Sequence, residues 1–77
     1  MKNTDWQRDI ADIITAIWME KLEPGIFITV DDVLPEMVKR GYNLTRGELG
    51  DAMGVVAADN NWEIGIAADG TVQVKPF

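Results

Sequence analysis

The sequence contains no histidine, no cysteine and no serine among its 77 residues. Without cysteine there are no disulfides and no thiolate metal sites. The usual nucleophile–base arrangements are excluded, and no side chain ionises near neutral pH at its ordinary pKa. Carboxylates remain, but acid–base catalysis with them needs a cleft, which a chain this short rarely forms. We therefore predict that the protein is not an enzyme and takes no cofactor, metal or small-molecule substrate.

Positive charge is also scarce. Seven lysines and arginines stand against thirteen aspartates and glutamates, so the net charge is −6. The cations are scattered along the chain, and only Lys39 and Arg40 are adjacent. A polyanion such as DNA is repelled by this balance unless a local basic patch overrides it.

Long apolar runs are absent as well, because acidic residues interrupt the N-terminal amphipathic segment. We therefore expect no signal peptide, no membrane span and a cytoplasmic location. The length fits one domain over residues 1–77. A hydrophobic content of 47% is sufficient for one core.

Apolar spacing predicts a first helix that ends at Pro24-Gly25. Thr4 and Gln7 form a capping-box pattern, which is typical of a helix start. Apolar residues at helical spacing form a stripe that should face the core: Trp6, Ile10, Ile13, Ile14, Ile17 and Trp18. The acidic residues fall away from this stripe and form an acidic outer face: Asp5, Asp9, Asp12 and Glu20.

A short strand and a second helix are predicted next. The run 26–30 is rich in β-branched residues and indicates the strand. Asp31 or Asp32 would cap a helix that runs to about Arg40, with Gly41 as its C-terminal stop. The proline at position 35 is compatible with this helix if it lies near the first turn.

The third helix has the best-defined start in the chain. Thr45 and Glu48 form a second capping box, and Leu44 and Leu49 have the spacing of a hydrophobic staple. The helix closes at 59–61. Its inner face is apolar, with four residues at helical spacing: Leu49, Met53, Val56 and Ala57.

The C-terminal segment predicts a β-hairpin with a three-residue loop, 68–70, in which Gly70 takes the left-handed conformation. This loop places apolar residues on one face of the hairpin, which a two-residue loop would not do. The expected opposite pairs are Ala67 with Thr71, Ile66 with Val72 and Ile64 with Val74.

The aromatic side chains are expected to serve packing. Trp6, Trp18 and Phe27 occupy positions that should face the core, and Trp62 should cover one end of it. Tyr42, in the turn between the second and third helices, is either a contact residue or a lid on the core.

The order helix, strand, helix, helix, strand, strand resembles the winged-helix (winged helix-turn-helix) superfamily. The resemblance rests on the segment 32–56, on the turn 39–45 within it, and on the hairpin 62–77 as the wing. It implies an α+β, winged-helix-like fold. In DNA-binding members of that superfamily the third helix enters the major groove and the wing contacts phosphates.

This sequence differs from the DNA-binding members both in the third helix and in the wing. The outward positions of the third helix carry no long donor for base readout and no cation for a phosphate: Gly47, Asp51, Gly54, Val55 and Ala58. The wing tip, 68–70, has no lysine or arginine either.

Two functions of different class remain open. The first is a small acidic regulatory module that binds a partner protein or a second copy through the small outward residues of the third helix, with Gly50 at their margin. A variant of it uses the acidic face of the first helix to imitate DNA, as inhibitors encoded by mobile elements do. The alternative is a DNA-binding transcriptional regulator that uses the cations near the inter-helix turn: Lys39, Arg40 and Arg46.

Overall fold

Three helices and three short strands form an α+β fold in the predicted order. The computed structural model describes residues 5–21 and 25–76. Within them the elements are α1 (Asp5–Lys21), β1 (Ile28–Thr29), α2 (Val30–Lys39), α3 (Arg46–Asp59), β2 (Glu63–Ile66) and β3 (Val72–Lys75). The arrangement is compatible with a winged-helix-like fold. No helix in these residues is long and apolar enough to cross a membrane.

The apolar stripe of α1 faces the core as predicted. Ile10, Ile13 and Ile14 are buried, and the two tryptophans of the stripe are half-buried against them. Thr4, the expected cap of this helix, and Pro24, part of its expected stop, lie outside the described residues.

The predicted cap of α2 was wrong, because the helix begins at Val30, before either aspartate. Its N-cap is Thr29, and Asp32 is the third helical residue. The Asp32 carboxylate accepts hydrogen bonds from the Thr29 N–H at 3.0 Å and from its hydroxyl at 3.1 Å. The run 26–30 is not a full strand, because its last member, Val30, is the first residue of α2 and is buried.

The second correction in α2 concerns Pro35. It is the sixth residue of the helix rather than part of its first turn, so it lacks the amide that would bond to the Asp31 carbonyl. The helix accommodates this single lost bond and continues to Lys39. Gly41 follows with φ of 92° and confirms the predicted stop.

Helix α3 is capped as the sequence predicts. The Thr45 hydroxyl accepts from the Glu48 N–H at 3.1 Å, and the Glu48 carboxylate accepts from the Thr45 N–H at 2.8 Å. At the other end Asn61 adopts φ of 59°, and the Trp62 N–H bonds back to the Ala57 carbonyl at 2.8 Å. These bonds satisfy terminal groups that a helix leaves unpaired.

Strand β3 lies in the middle of an antiparallel sheet of order β1-β3-β2. Gly70 has φ of 90°, as the predicted three-residue loop requires. The predicted hairpin register is confirmed, with Ile64 opposite Val74 and Ile66 opposite Val72. The helices cover one face of this sheet, where Val74 is fully buried.

The other face of the sheet holds Phe27, which was expected in the core. Side chains alternate along a strand, and the neighbouring Ile28 takes the inward direction. The Phe27 ring lies 3.3 Å from the place where a Cβ on Gly65 would stand, and the Lys75 ammonium is 5.7 Å from the ring centroid. Phe27 therefore covers a glycine on the outer face of the sheet.

Candidate protein-binding surface

The outward positions of α3 lie on the surface of the molecule. Gly47, Asp51, Val55 and Ala58 are exposed, and Gly54 is partly exposed. Among the described residues, nothing lies within 4 Å of a Cβ built on Gly47 or Gly54. This side of α3 is thus smooth and open.

Gly50 has a different role from the one expected at the margin of this surface. It is buried, and a Cβ at this position would stand 3.6 Å from the Val72 nitrogen and 3.7 Å from Val30 Cγ2. Helix α3 therefore passes close over the backbone of β3 at this point. Residues three and four apart share one side of a helix, so the row 47, 50, 54, 58 runs along the side of α3 that borders the sheet.

Two isoleucines of β2 are exposed on the face of the sheet against which the helices pack. Ile66 is 65% exposed and Ile64 is 45% exposed. Ile66 lies opposite Val72, the residue that Gly50 approaches, so Ile66 stands one strand away from the point where α3 meets β3. We call the combined area the α3–β2 surface: Gly54, Val55, Ala58, Ile64 and Ile66. The sequence pattern missed the two isoleucines, because it indicates that they share a face and not that this face is left uncovered.

The three cations proposed for nucleic-acid binding are all in contact with carboxylates. Arg40 binds Asp9 at 2.9 Å, and the Lys39 ammonium lies 3.5 Å from the Glu36 carboxylate. Arg46 contacts Asp31 and Asp69 together. Three positive groups thus meet four negative ones, and the cluster presents no net positive charge to a phosphate.

Arg46 links three parts of the chain through these contacts. It lies at the start of α3, Asp31 belongs to α2, and Asp69 is at the wing tip. Asp69 also accepts from the Thr71 hydroxyl at 2.7 Å and from its N–H at 3.1 Å. The hydrogen bonds from Thr71, followed by the charge of Arg46, lower the pKa of Asp69 from its ordinary value. Arg46 therefore serves to hold the wing against the helices.

The acidic face predicted on α1 is divided in the structure. Asp12 and Glu20 are exposed, whereas the Asp5 side chain lies outside the described residues. The Asp9 carboxylate is only 27% exposed, because it binds Arg40 and accepts from the Tyr42 hydroxyl at 2.6 Å. Asp9 therefore joins α1 to the inter-helix turn and does not belong to a free acidic surface.

An apolar groove of about 300 Å³ lies next to this contact, and no pattern in the sequence predicts it. It is lined by Trp6, Ile10, Tyr42, Leu44 and Ala52. Of the two options left open for Tyr42, the structure shows the one in which it covers the core, since its ring packs there while its hydroxyl donates to Asp9. Among the described residues that line the groove, Tyr42 alone carries an ionisable group.

A second recess, of about 120 Å³, separates the start of α3 from the wing and includes Arg46 and Asp51 in its lining. Across the described ranges, no three carboxylates are grouped so that they could hold a metal ion. Comparisons with protein-family models, with curated proteins and with solved structures find no match for this chain. Function must therefore be inferred from its own surface.

Proposed function

We propose that this chain is a small non-enzymatic regulatory module of winged-helix type that acts by binding another protein. The observation that carries the proposal is the α3–β2 surface, where apolar side chains stand exposed beside a smooth helix. A domain of this size normally leaves such residues isolated, whereas grouped exposed apolar residues mark interaction sites. Val55, which is 44% exposed, lies at the outer margin of this surface.

The charge distribution supports a protein rather than a nucleic acid as the partner. Affinity for DNA depends largely on several lysines and arginines that neutralise phosphates together. The candidates Lys39, Arg40 and Arg46 are matched by carboxylates of the same chain. The outward side of α3 carries Asp51 and no cation. Imitation of DNA by α1 is not part of the proposal, because Asp9 is engaged internally.

Two observations support a non-enzymatic function: the residue types that the sequence lacks and the lining of the two recesses. The sequence has no histidine, cysteine or serine. The larger groove is apolar, and the smaller one contains Arg46, whose charge is already matched by Asp31 and Asp69. At the two recesses Tyr42 is engaged with Asp9 and Arg46 with its two aspartates, so acid–base catalysis is not part of the proposal.

The proposal is tested by partner capture with a matched pair of variants. The tagged chain is incubated with nuclease-treated lysate of its source organism, and any retained protein is identified and purified. Its affinity is then measured for wild type, for Val55→Arg on the α3–β2 surface and for Val38→Arg on α2, where the valine is similarly exposed at 59%. We expect Val55→Arg to weaken binding about tenfold or more, which is about 1.4 kcal/mol, and Val38→Arg to bind like wild type.

Two results would contradict the proposal. One is equal binding by the two arginine variants, with both folded by circular dichroism. The other is recovery of nucleic acid alone from untreated lysate, with an affinity that falls steeply as salt rises, since that dependence is the mark of phosphate contacts.

A further inference from the structure

The outer edge of β2 carries open backbone hydrogen-bonding groups. The Ala67 N–H donates to the Thr71 carbonyl at 2.8 Å. Bonded pairs alternate along an antiparallel ladder, so Gly65 and Glu63 direct their backbone groups to β3. Ile64 and Ile66 direct theirs away from the sheet, because β2 is an edge strand. Within the described chain, no hydrogen bond engages these two N–H and two C=O groups.

This edge lacks the features that usually prevent strands from pairing. Natural edge strands are protected by lysine, proline, bulges or a covering helix. The residues 63–66 include neither lysine nor proline. The only charged one of them, Glu63, forms an ion pair with the Lys75 ammonium at 3.4 Å. Ile64 and Ile66 also expose their side chains here. The open N–H and C=O groups of Ile64 and Ile66 are spaced as in an extended strand. A second extended strand can therefore form hydrogen bonds with all of them.

We propose that β2 pairs antiparallel with β2 of a second copy of this chain, about a twofold axis at Gly65. In this register Ile64 lies opposite Ile66 of the second copy, and the reverse pair follows by symmetry. These residues are the ones whose backbone groups point outward, so all four groups of each copy are used in four hydrogen bonds. The two three-stranded sheets join into one sheet of six strands.

The residues around the axis favour a second copy over an unrelated strand. Gly65 faces its own counterpart at a non-bonded position, where Cα atoms approach most closely, at about 4.5 Å. Glu63 lies opposite Ala67 of the second copy, so the register avoids a contact between like charges. The isoleucines of both copies meet on the helix side of the sheet, the side on which Val74 is buried.

The net charge of −6 on each copy opposes this association. Salt screens such repulsion, so we expect the dimer to become tighter as salt concentration rises. An interface built on ion pairs would weaken instead. The pairing covers Ile64 and Ile66, which belong to the α3–β2 surface, so the dimer and a partner protein compete for that part of the surface. It goes beyond the proposed function because it concerns self-association, and it is measured on the pure chain, so either proposal can fail while the other holds.

The test combines oligomeric state with amide exchange, using the full chain. Sedimentation equilibrium across a range of protein concentrations should give a monomer–dimer equilibrium for wild type. Ile66→Lys should raise the dissociation constant at least tenfold, while Val38→Lys, which adds the same charge on α2, should dimerise like wild type. Thermal melts at a concentration where wild type is monomeric check that each variant is folded.

Hydrogen exchange by NMR gives a readout that needs no variant. The Ile64 and Ile66 amides should become protected as concentration rises, whereas the Gly65 amide, bonded to Gln73 within one copy, should be protected throughout. Three results would overturn the proposal: wild type that stays monomeric, a dimer that persists in Ile66→Lys or weakens with salt, or a dimer in which the Ile64 and Ile66 amides exchange freely.

Discussion

The two edges of the small sheet are finished in opposite ways. Strand β1 has only two residues, and the chain turns directly from it into α2. The Thr29 N–H, which points away from β3, is accepted by the Asp32 carboxylate at 3.0 Å. Strand β2 has four residues, and the outward backbone groups of Ile64 and Ile66 have no acceptor or donor in the described chain.

This difference shows how one interaction can serve two purposes. The Thr29–Asp32 contact starts a helix and at the same time closes a sheet edge, so β1 cannot recruit another strand there. No helix begins at the end of β2, because the chain continues into the wing loop at Ala67. The edge that the chain leaves open is also the one with exposed isoleucines, which makes β2 the place where association is expected.

The largest difference in stability between the two edges is expected when one isoleucine on each edge is replaced by alanine. Ile28 in β1 is fully buried, so Ile28→Ala should lower the free energy of unfolding by about 2–5 kcal/mol. Ile66 in β2 is 65% exposed, so Ile66→Ala should change it by less than about 1 kcal/mol when the protein is monomeric. Urea denaturation at low protein concentration measures both. Equal losses would mean that the edges do not differ in this way.

A smaller effect is expected from removing the carboxylate that closes the β1 edge. Asp32→Ala leaves the Thr29 N–H and hydroxyl without their acceptor and should cost about 1 kcal/mol, the usual range for loss of a helix cap. Asp12→Ala removes the same charge from an exposed position of α1 and should stay within about 0.5 kcal/mol of wild type. If the two variants are equally stable, the cap does not support the edge.

The smallest effect concerns the wing that follows β2. The pKa of Asp69 is lowered by Thr71 and Arg46, so its ionised form contributes stability above the ordinary value of 3.8, and this contribution is lost as pH falls through the lowered pKa. The melting temperature of wild type should therefore exceed that of Asp69→Asn near neutral pH, and the gap should close in acid. A gap that persists in strong acid would assign the effect to something other than the charge.

The features that could be predicted from sequence are those that depend on neighbours along the chain. The Thr45–Glu48 box, the helix stops at Gly41 and at 59–61, and the left-handed Gly70 each involve residues a few positions apart. The hairpin register followed from the loop because loop length determines which residues are opposite. The same local logic missed Thr29, since a threonine within a β-branched run is as typical of a strand as of a cap.

The features that could not be predicted depend on what the fold brings together. Asp9 meets Arg40 and Tyr42 across 31 and 33 positions, and no spacing rule links them. Gly50 looked like part of an open surface because helical geometry alone does not say where β3 crosses. For the candidate surface, the sequence predicted the outward members on α3, while the contribution of β2 required the strand order.

The amino-acid order by itself determined the order of the helices and strands, how two helices end and how the hairpin is aligned, because backbone hydrogen bonds, caps and turns form between near neighbours. Only the tertiary structure decided which apolar faces are covered, which charges are matched and which sheet edge stays open. Periodicity states which side chains lie on the same face, but the element opposite that face is supplied by distant parts of the chain.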